Sequence, residues 1–133
     1  MIDLIIPYYN NPLGLYNTLS SIDDKYFNII IVDDCSTNYP LFDIKYTVYH
    51  LDKNHGPGYA RQFGIDKTNN EWIMFIDTGD IFLGMECFDF IKKAIKENPD
   101  ADIISFPYIY KDDMPNEASN RMHGKIYKRT FIK

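Results

Sequence analysis

The chain has few cysteines and no spacing that pairs them. Cys35 and Cys87 are the only two among 133 residues, and they lie far apart in the sequence. Small disulfide-stabilised domains need an ordered set of cysteines, and zinc sites need Cys or His at short, fixed spacings. We therefore expect two reduced thiols in a cytoplasmic protein, with neither a disulfide framework nor a cysteine-based metal site.

Clusters of basic residues and long apolar runs are also scarce. The net charge is −5, whereas proteins that bind the phosphate backbone of nucleic acids need clustered Lys and Arg. No apolar run approaches the ~20 residues that span a bilayer. The first ten residues hold a short apolar run between Asp3 and Pro7, which is typical of a strand rather than a signal peptide. We expect no nucleic-acid partner and no transmembrane segment.

The composition is sufficient for one domain with one core, since 45% of the residues are hydrophobic. Apolar runs of strand length alternate with segments of helical spacing. The predicted strands are residues 4–6, 29–32, 46–51, 72–76 and 102–108. The predicted helices lie around residues 15–22, 58–66 and 88–95. This alternation predicts an α/β fold, a three-layer α/β/α sandwich with a mainly parallel sheet.

Three polar clusters follow predicted strands: YYN at residues 8–10, DD at 33–34 and DTGD at 77–80. Parallel sheets bind ligands at the carboxyl ends of their strands, so the fold is expected to bring these clusters to one edge. Taken singly, each cluster is equally well explained as turn or helix-cap chemistry. Their convergence is what indicates a site.

The DTGD cluster is the candidate metal site. Asp77 and Asp80 are three residues apart, and Gly79 can take a positive φ, so a tight turn could aim both carboxylates at Mg²⁺ or Mn²⁺. Such a cation would bridge diphosphate oxygens and stabilise a departing nucleoside diphosphate. The alternative interpretation is a solvated turn.

A nucleotide base and its phosphates have candidate partners as well. Asp34 could accept a hydrogen bond from the imide N–H of uracil, and Tyr9 offers a ring for stacking. The loop NHGPG at residues 54–58 precedes a helix bearing Arg61, so backbone N–H groups and a guanidinium could hold a phosphate. The alternatives are a rim aromatic at Tyr9 and a surface ion pair at Arg61.

Taken in order, these segments resemble the GT-A glycosyltransferases of family 2. The segments are IIPYYN at 5–10, IVDDCS at 31–36, NHGPGYARQFG at 54–64, the strand at 72–80 that ends in a DxD-type motif, and GKIYKR at 124–129. The resemblance covers nearly the whole chain. It implies transfer of a sugar from a nucleoside-diphosphate donor, with UDP expected, to a glycan or lipid-linked acceptor, commonly with inversion, as in polysaccharide biosynthesis.

The resemblance also assigns roles to individual residues. Pro7 and Tyr9 would line the base pocket, and Asp34 would hold the base. Arg61 would lie near the phosphates, and Gly56 is a further candidate nucleotide-binding residue. Asp77 and Asp80 would face the ribose and the metal, and Asp80 is the expected direct ligand because the last aspartate of the family motif has this role.

Two features depart from the family pattern. Gly79 stands where the family often has a third carboxylate, which removes one potential metal ligand. The family also takes its general base from an acidic residue that would lie beyond Lys133, and no residue here matches it. Asp112 and Asp113 are explained as solvated loop charges. We therefore expect a nucleotide-sugar-binding domain that needs a further portion or a partner for efficient turnover.

Two other functions compete with this one. A phosphoacceptor receiver domain would use Asp33, Asp34 and Asp77 as a Mg²⁺-binding acidic triad, with Ser105 and Lys125 beyond, but it gives no role to the first ~28 residues or to residues 54–64. A non-catalytic nucleotide-sugar-binding remnant would share the donor pocket and differ only in turnover.

Overall fold

The computed structural model describes residues 1–40, 43–106, 108–109, 115–116 and 124–132. Asp112 and Asp113 lie outside these residues. The strands are β1 (Ile2–Tyr8), β2 (Phe27–Asp33), β3 (Thr47–His50), β4 (Trp72–Phe75), β5 (Ile103–Ser105), β6 (Tyr108–Ile109), β7 (Pro115–Asn116) and β8 (Lys125–Lys128). The helices are α1 (Pro12–Ser20), α2 (Pro57–Asp66), α3 (Glu86–Glu97) and α4 (Arg129–Ile132).

Six of the strands form one sheet in the order β3-β2-β1-β4-β8-β5. The first four strands of the chain are mutually parallel, and β1 lies between β2 and β4. Tyr8 at the end of β1 pairs with Asp33 at the end of β2. The carboxyl ends of β1, β2 and β4 therefore meet at one edge, which we call the carboxyl edge, as the alternation of elements predicts.

Helices cover both faces of the sheet and complete the three predicted layers. Leu15 of α1 and Phe88 and Ile91 of α3 pack with one set of strand side chains. Ala60 and Ile65 of α2 pack with the other set. All seven residues of β1 are buried, as expected of a central strand with a helical layer on each side.

The predicted mainly parallel α/β sandwich is confirmed, but one of its strands was not predicted. β8 lies between β4 and β5 and is antiparallel to both. The predicted fifth strand is consequently an edge strand of three residues, Ile103–Ser105. Its neighbour is β8, so it does not extend the parallel part of the sheet.

The opposite edge of the sheet is fixed by a buried carboxylate. Asp3 is fully buried and accepts hydrogen bonds from Asn28 Nδ2 at 2.7 Å, from the backbone N–H groups of Asn69 and Asn70 at 2.9 and 2.7 Å, and from Asn70 Nδ2 at 2.9 Å. These bonds join the starts of β1 and β2 to the loop before β4. Asp3 thus organises what we call the amino edge.

Candidate functional site

The loops after β1 and β2 are tied together at the carboxyl edge. The backbone N–H of Asn10 donates to Ser36 Oγ at 2.9 Å, and Asn10 Oδ1 accepts from the N–H groups of Thr37 and Asn38 at 2.8 and 2.9 Å. Asn10 has a φ of 47°, a left-handed conformation that Asn tolerates better than most residues. This crosslink fixes the backbone that carries Tyr9, whose side chain is 51% exposed and available for stacking.

Asp34 binds the loop that precedes α2. Asp34 is only 4% exposed. Its two carboxylate oxygens accept hydrogen bonds from the backbone N–H groups of His55 and Gly56, each at 2.8 Å. Gly56 has a φ of 89°, which glycine adopts without steric cost. The sequence predicted that free N–H groups of this loop could hold a phosphate. The amides of residues 55 and 56 are instead directed at Asp34, because a buried carboxylate is a strong acceptor close at hand.

Asp33 makes a separate set of contacts. Its Oδ1 accepts from the backbone N–H of Ser36 at 3.0 Å, and its Oδ2 lies 2.8 Å from His50 Nδ1. Burial raises the pKa of the Asp33 carboxyl, but the hydrogen bonds from Ser36 and His50 outweigh burial and hold that pKa below its ordinary value. Sequence reasoning did not single out His50, which lacks a motif around it.

An acidic triad of the receiver type does not form. Asp33 is engaged with His50, and Asp34 is engaged with the loop at residues 55–56. Asp77 is engaged with Arg61. Within the described ranges there is no group of three or more His, Cys, Asp or Glu residues that could hold a metal ion. The three aspartates that a receiver would need are committed to three different partners.

Arg61 and Asp77 connect α2 to the end of β4. Arg61 Nη2 lies 2.7 Å from Asp77 Oδ1, and the Arg61 side chain is only 20% exposed. Arg61 Nε is buried and has no hydrogen-bond partner in the described structure. A buried donor without an acceptor is costly, so this atom is a place where a ligand oxygen would be favourable.

The DTGD turn is fixed from two sides. The N–H of Asp80 donates to the carbonyl of Asp77 at 3.0 Å, and Gly79 has a φ of 101°, so the predicted tight turn is present. Thr78 Oγ1 donates to the carbonyl of Pro7, a buried residue of β1, at 2.7 Å. Thr18 Oγ1, on α1, accepts from the N–H of Gly79 at 2.9 Å and donates to the carbonyl of Asp80 at 2.7 Å.

A divalent cation fits this turn if it arrives with a diphosphate. Mg²⁺ and Mn²⁺ favour oxygen ligands, and Mg²⁺ sites commonly use one or two carboxylates together with substrate phosphates rather than an all-protein cage. Asp80 is exposed at the carboxyl edge, and Asp77 is ion-paired with Arg61 at 2.7 Å. The turn thus offers one exposed carboxylate, and the oxygens of a bound diphosphate would supply further ligands.

The structure gathers the predicted residues in two connected groups. Asp34 joins the end of β2 to the start of α2, and Arg61 joins α2 to the end of β4. Like His50, Thr18 was not singled out from the sequence. A threonine at helical spacing from Leu15 and Ile22, on the apolar face of a predicted helix, was the available signal.

The comparisons with known proteins agree on one family. The sequence model of Glycosyl transferase family 2 matches residues 3–133. An uncharacterized glycosyltransferase of Haemophilus influenzae is 30% identical over 125 residues, which cover 89% of this chain and 42% of that protein. Among the described residues, no helix is long and apolar enough to cross a membrane.

Solved structures share the fold. S. aureus TarS 1-349 in complex with UDP-GlcNAc superposes with a TM-score of 0.78 at 19% identity, covering 97% of this chain and 45% of that one. Mannosyltransferase PcManGT from Pyrobaculum calidifontis, in complex with GDP-Man and Mn²⁺, gives a TM-score of 0.66 at 17% identity, covering 84% and 36%. The chain therefore spans less than half the length of each of these three proteins.

Proposed function

The chain belongs to glycosyl transferase family 2, and from this membership we propose that it is the donor-binding domain of a glycosyltransferase that uses a UDP-sugar. A divalent cation, Mn²⁺ or Mg²⁺, assists the reaction, and the sugar moves with inversion to a glycan or lipid-linked acceptor in cytoplasmic polysaccharide assembly. TarS in complex with UDP-GlcNAc, which has the same fold, supports this choice of donor.

One observation carries the proposal: Asp34 and Arg61 link the ends of β2 and β4 through α2. Asp34 holds the amides of His55 and Gly56 at 2.8 Å, and Arg61 meets Asp77 at 2.7 Å. The two links surround the carboxyl edge of a parallel sheet, where nucleotides bind in α/β folds. An ordered edge of this kind reduces the conformational entropy that the protein must lose when a ligand binds.

The nucleoside is assigned to the β1 and β2 side of the site. Tyr9 stacks on the base, and Pro7 holds the β1 end beneath it. A carboxylate offers about four lone-pair sites. Asp34 therefore keeps acceptor capacity beyond its bonds to His55 and Gly56, and it accepts the imide N–H of uracil at the rim of the loop.

The diphosphate and cation are assigned to the β4 side. Asp80 is the direct metal ligand, and Asp77 fixes the Arg61 guanidinium beside the phosphates. The unpartnered, buried Nε of Arg61 supports this assignment because a phosphate oxygen would satisfy it. The cation, when bound, neutralises charge on the departing diphosphate.

Calorimetric titration with UDP in the presence and absence of Mn²⁺ tests the proposal. We expect metal-dependent binding of one UDP per chain, weakened at least about tenfold by Asp80→Asn, because that change removes a charged ligand. Asp100→Asn is the matched control, since Asp100 is an exposed aspartate after α3, remote from the carboxyl edge. Titrations with GDP and dTDP are added, because the solved structure of PcManGT is a complex with GDP-Man.

Metal-dependent binding absent for all three nucleotides would refute the donor assignment. Selective binding of GDP would be consistent with a donor-binding domain but would overturn the choice of UDP. The general base and acceptor contacts are proposed to come from another portion of the protein or from a partner. Donor hydrolysis with and without added acceptors then separates a transferase from a non-catalytic binding domain.

A further inference from the structure

Thr18 is a buried polar residue on the apolar face of α1. It is fully buried, and it lies at helical spacing from Leu15, which is also fully buried. A hydroxyl in such a position must find partners, or its burial is costly. The partners are main-chain atoms of the turn after β4, more than sixty residues away in sequence.

The hydroxyl bridges two successive residues of that turn. It accepts from the N–H of Gly79 at 2.9 Å and donates to the carbonyl of Asp80 at 2.7 Å. Both distances are those of well-formed hydrogen bonds. The Gly79 N–H belongs to the peptide group before Gly79, and the Asp80 carbonyl belongs to the peptide group after Asp80. The bridge therefore restrains the backbone on both sides of the Gly79–Asp80 peptide unit, whose own N–H donates to the carbonyl of Asp77.

The helix that carries Thr18 is itself well anchored. Asn11 caps α1, with its Oδ1 accepting from the N–H of Gly14 at 3.0 Å, and Pro12 occupies the first turn. The DTGD turn after β4 has a second attachment, since Thr78 Oγ1 donates to the carbonyl of Pro7. The DTGD turn is thus held to β1 through Thr78 and to α1 through Thr18. Of these two attachments, the Thr18 bridge is the one that includes a bond to the backbone of Asp80 itself.

We propose that Thr18 is a positioning residue for the metal-binding carboxylate of Asp80. The inference rests on the proposed function, in which Asp80 binds the cation. Metal–oxygen distances tolerate only small deviations, so the direction of the Asp80 Cα–Cβ bond, which its backbone sets, determines how well the carboxylate meets a cation. Glycine at position 79 leaves the turn free to rotate, and the Thr18 bridge removes that freedom.

The test separates metal affinity from nucleotide affinity. Thr18→Val removes the hydroxyl and keeps the shape, and Thr18→Ser keeps the hydroxyl. UDP binding is measured by calorimetry across a Mn²⁺ series and also without metal. We expect Thr18→Val to raise the Mn²⁺ concentration required for half-maximal UDP binding about tenfold. Metal-free UDP affinity should remain unchanged, and Thr18→Ser should restore most of the Mn²⁺ response.

Thr68→Val is the matched control. Thr68 is likewise buried and donates its hydroxyl to the carbonyl of Ile65 at 2.6 Å, but it follows the end of α2 near the amino edge. We expect it to keep the wild-type Mn²⁺ requirement even if its melting temperature falls. Thr18→Ala provides a second loss of the hydroxyl should the valine variant fold poorly.

The outcomes distinguish the inference from its premise. If the wild-type chain binds UDP with Mn²⁺ and Thr18→Val or Thr18→Ala shows the same Mn²⁺ requirement, Thr18 has no positioning role and the donor assignment stands. Equal loss of UDP affinity with and without metal would likewise overturn the positioning role. Failure of the wild-type chain to bind any nucleotide with Mn²⁺ would remove the premise itself.

Discussion

At the scale of single residues, Asp33 and Asp34 are adjacent in sequence but bind different partners. Asp34 organises the loop before α2, whereas Asp33 is tied to Ser36 and His50. Sequence patterns could place both at the end of a buried strand. They could not assign the partners, because His50 and His55 reach the aspartates only through strand pairing and loop closure.

The Asp33 contacts predict a pH dependence of stability. Burial raises the pKa of this carboxyl, but the Ser36 and His50 bonds more than offset burial, so the pKa in the folded chain is below its ordinary value. A lowered pKa means that the folded state favours the charged form. The contribution of Asp33 to the free energy of unfolding is fully present above the ordinary Asp pKa. It is lost as the pH falls through the lowered pKa of the folded chain.

The measurement is the free energy of unfolding by urea between pH 7 and pH 3, compared for the wild type and Asp33→Asn. The wild type is expected to lose more stability than the variant as the pH falls below about 4, which is near the ordinary pKa of Asp. Parallel curves would show that Asp33 contributes nothing to the acid response.

At the scale of elements, the sequence predicted most of the sheet. The apolar runs at residues 4–6, 29–32 and 72–76 are buried on both faces, so their composition alone marked them as β1, β2 and β4. β8 was missed because KIYK is a four-residue segment with charged ends. Its place between β4 and β5 comes from pairing with strands distant in sequence, and no local pattern records that pairing.

Close packing of α2 on β1 gives a prediction for Gly64. A Cβ at this position would lie 2.6 Å from Ile5 Cγ2, and Ile5 is fully buried, so Gly64→Ala must displace either the helix or the Ile5 side chain. We expect a loss of about 1–3 kcal/mol in the free energy of unfolding, despite the higher helix propensity of alanine.

Gly58→Ala is the comparison in the same helix. An added Cβ there would have no heavy atom within 4 Å, so this variant should be as stable as the wild type or slightly more so. Urea unfolding midpoints measure both variants. Equal stability of Gly64→Ala and Gly58→Ala would mean that the helix can shift at no cost and that the contact with Ile5 does not constrain it.

At the scale of the whole molecule, the two edges of the sheet have different roles, donor binding at one and stability at the other. The carboxyl edge carries the exposed carboxylate of Asp80 and the loop held by Asp34, whereas the amino edge carries the buried Asp3 with its four hydrogen bonds. β1 and β4, which run between the two edges, are buried along their whole length. Stability and donor binding should therefore respond to different substitutions.

Asp3→Asn tests this separation. The new amide places an N–H₂ group where a carboxylate oxygen accepted N–H donors, so at least one donor from Asn28, Asn69 or Asn70 loses its partner inside the protein. We expect the free energy of unfolding to fall by about 1–3 kcal/mol. The affinity for UDP with Mn²⁺, measured well below the melting transition, should match that of the wild type. Weaker UDP binding by a variant that is still fully folded would show that the amino edge controls the geometry of the site across the whole length of β1.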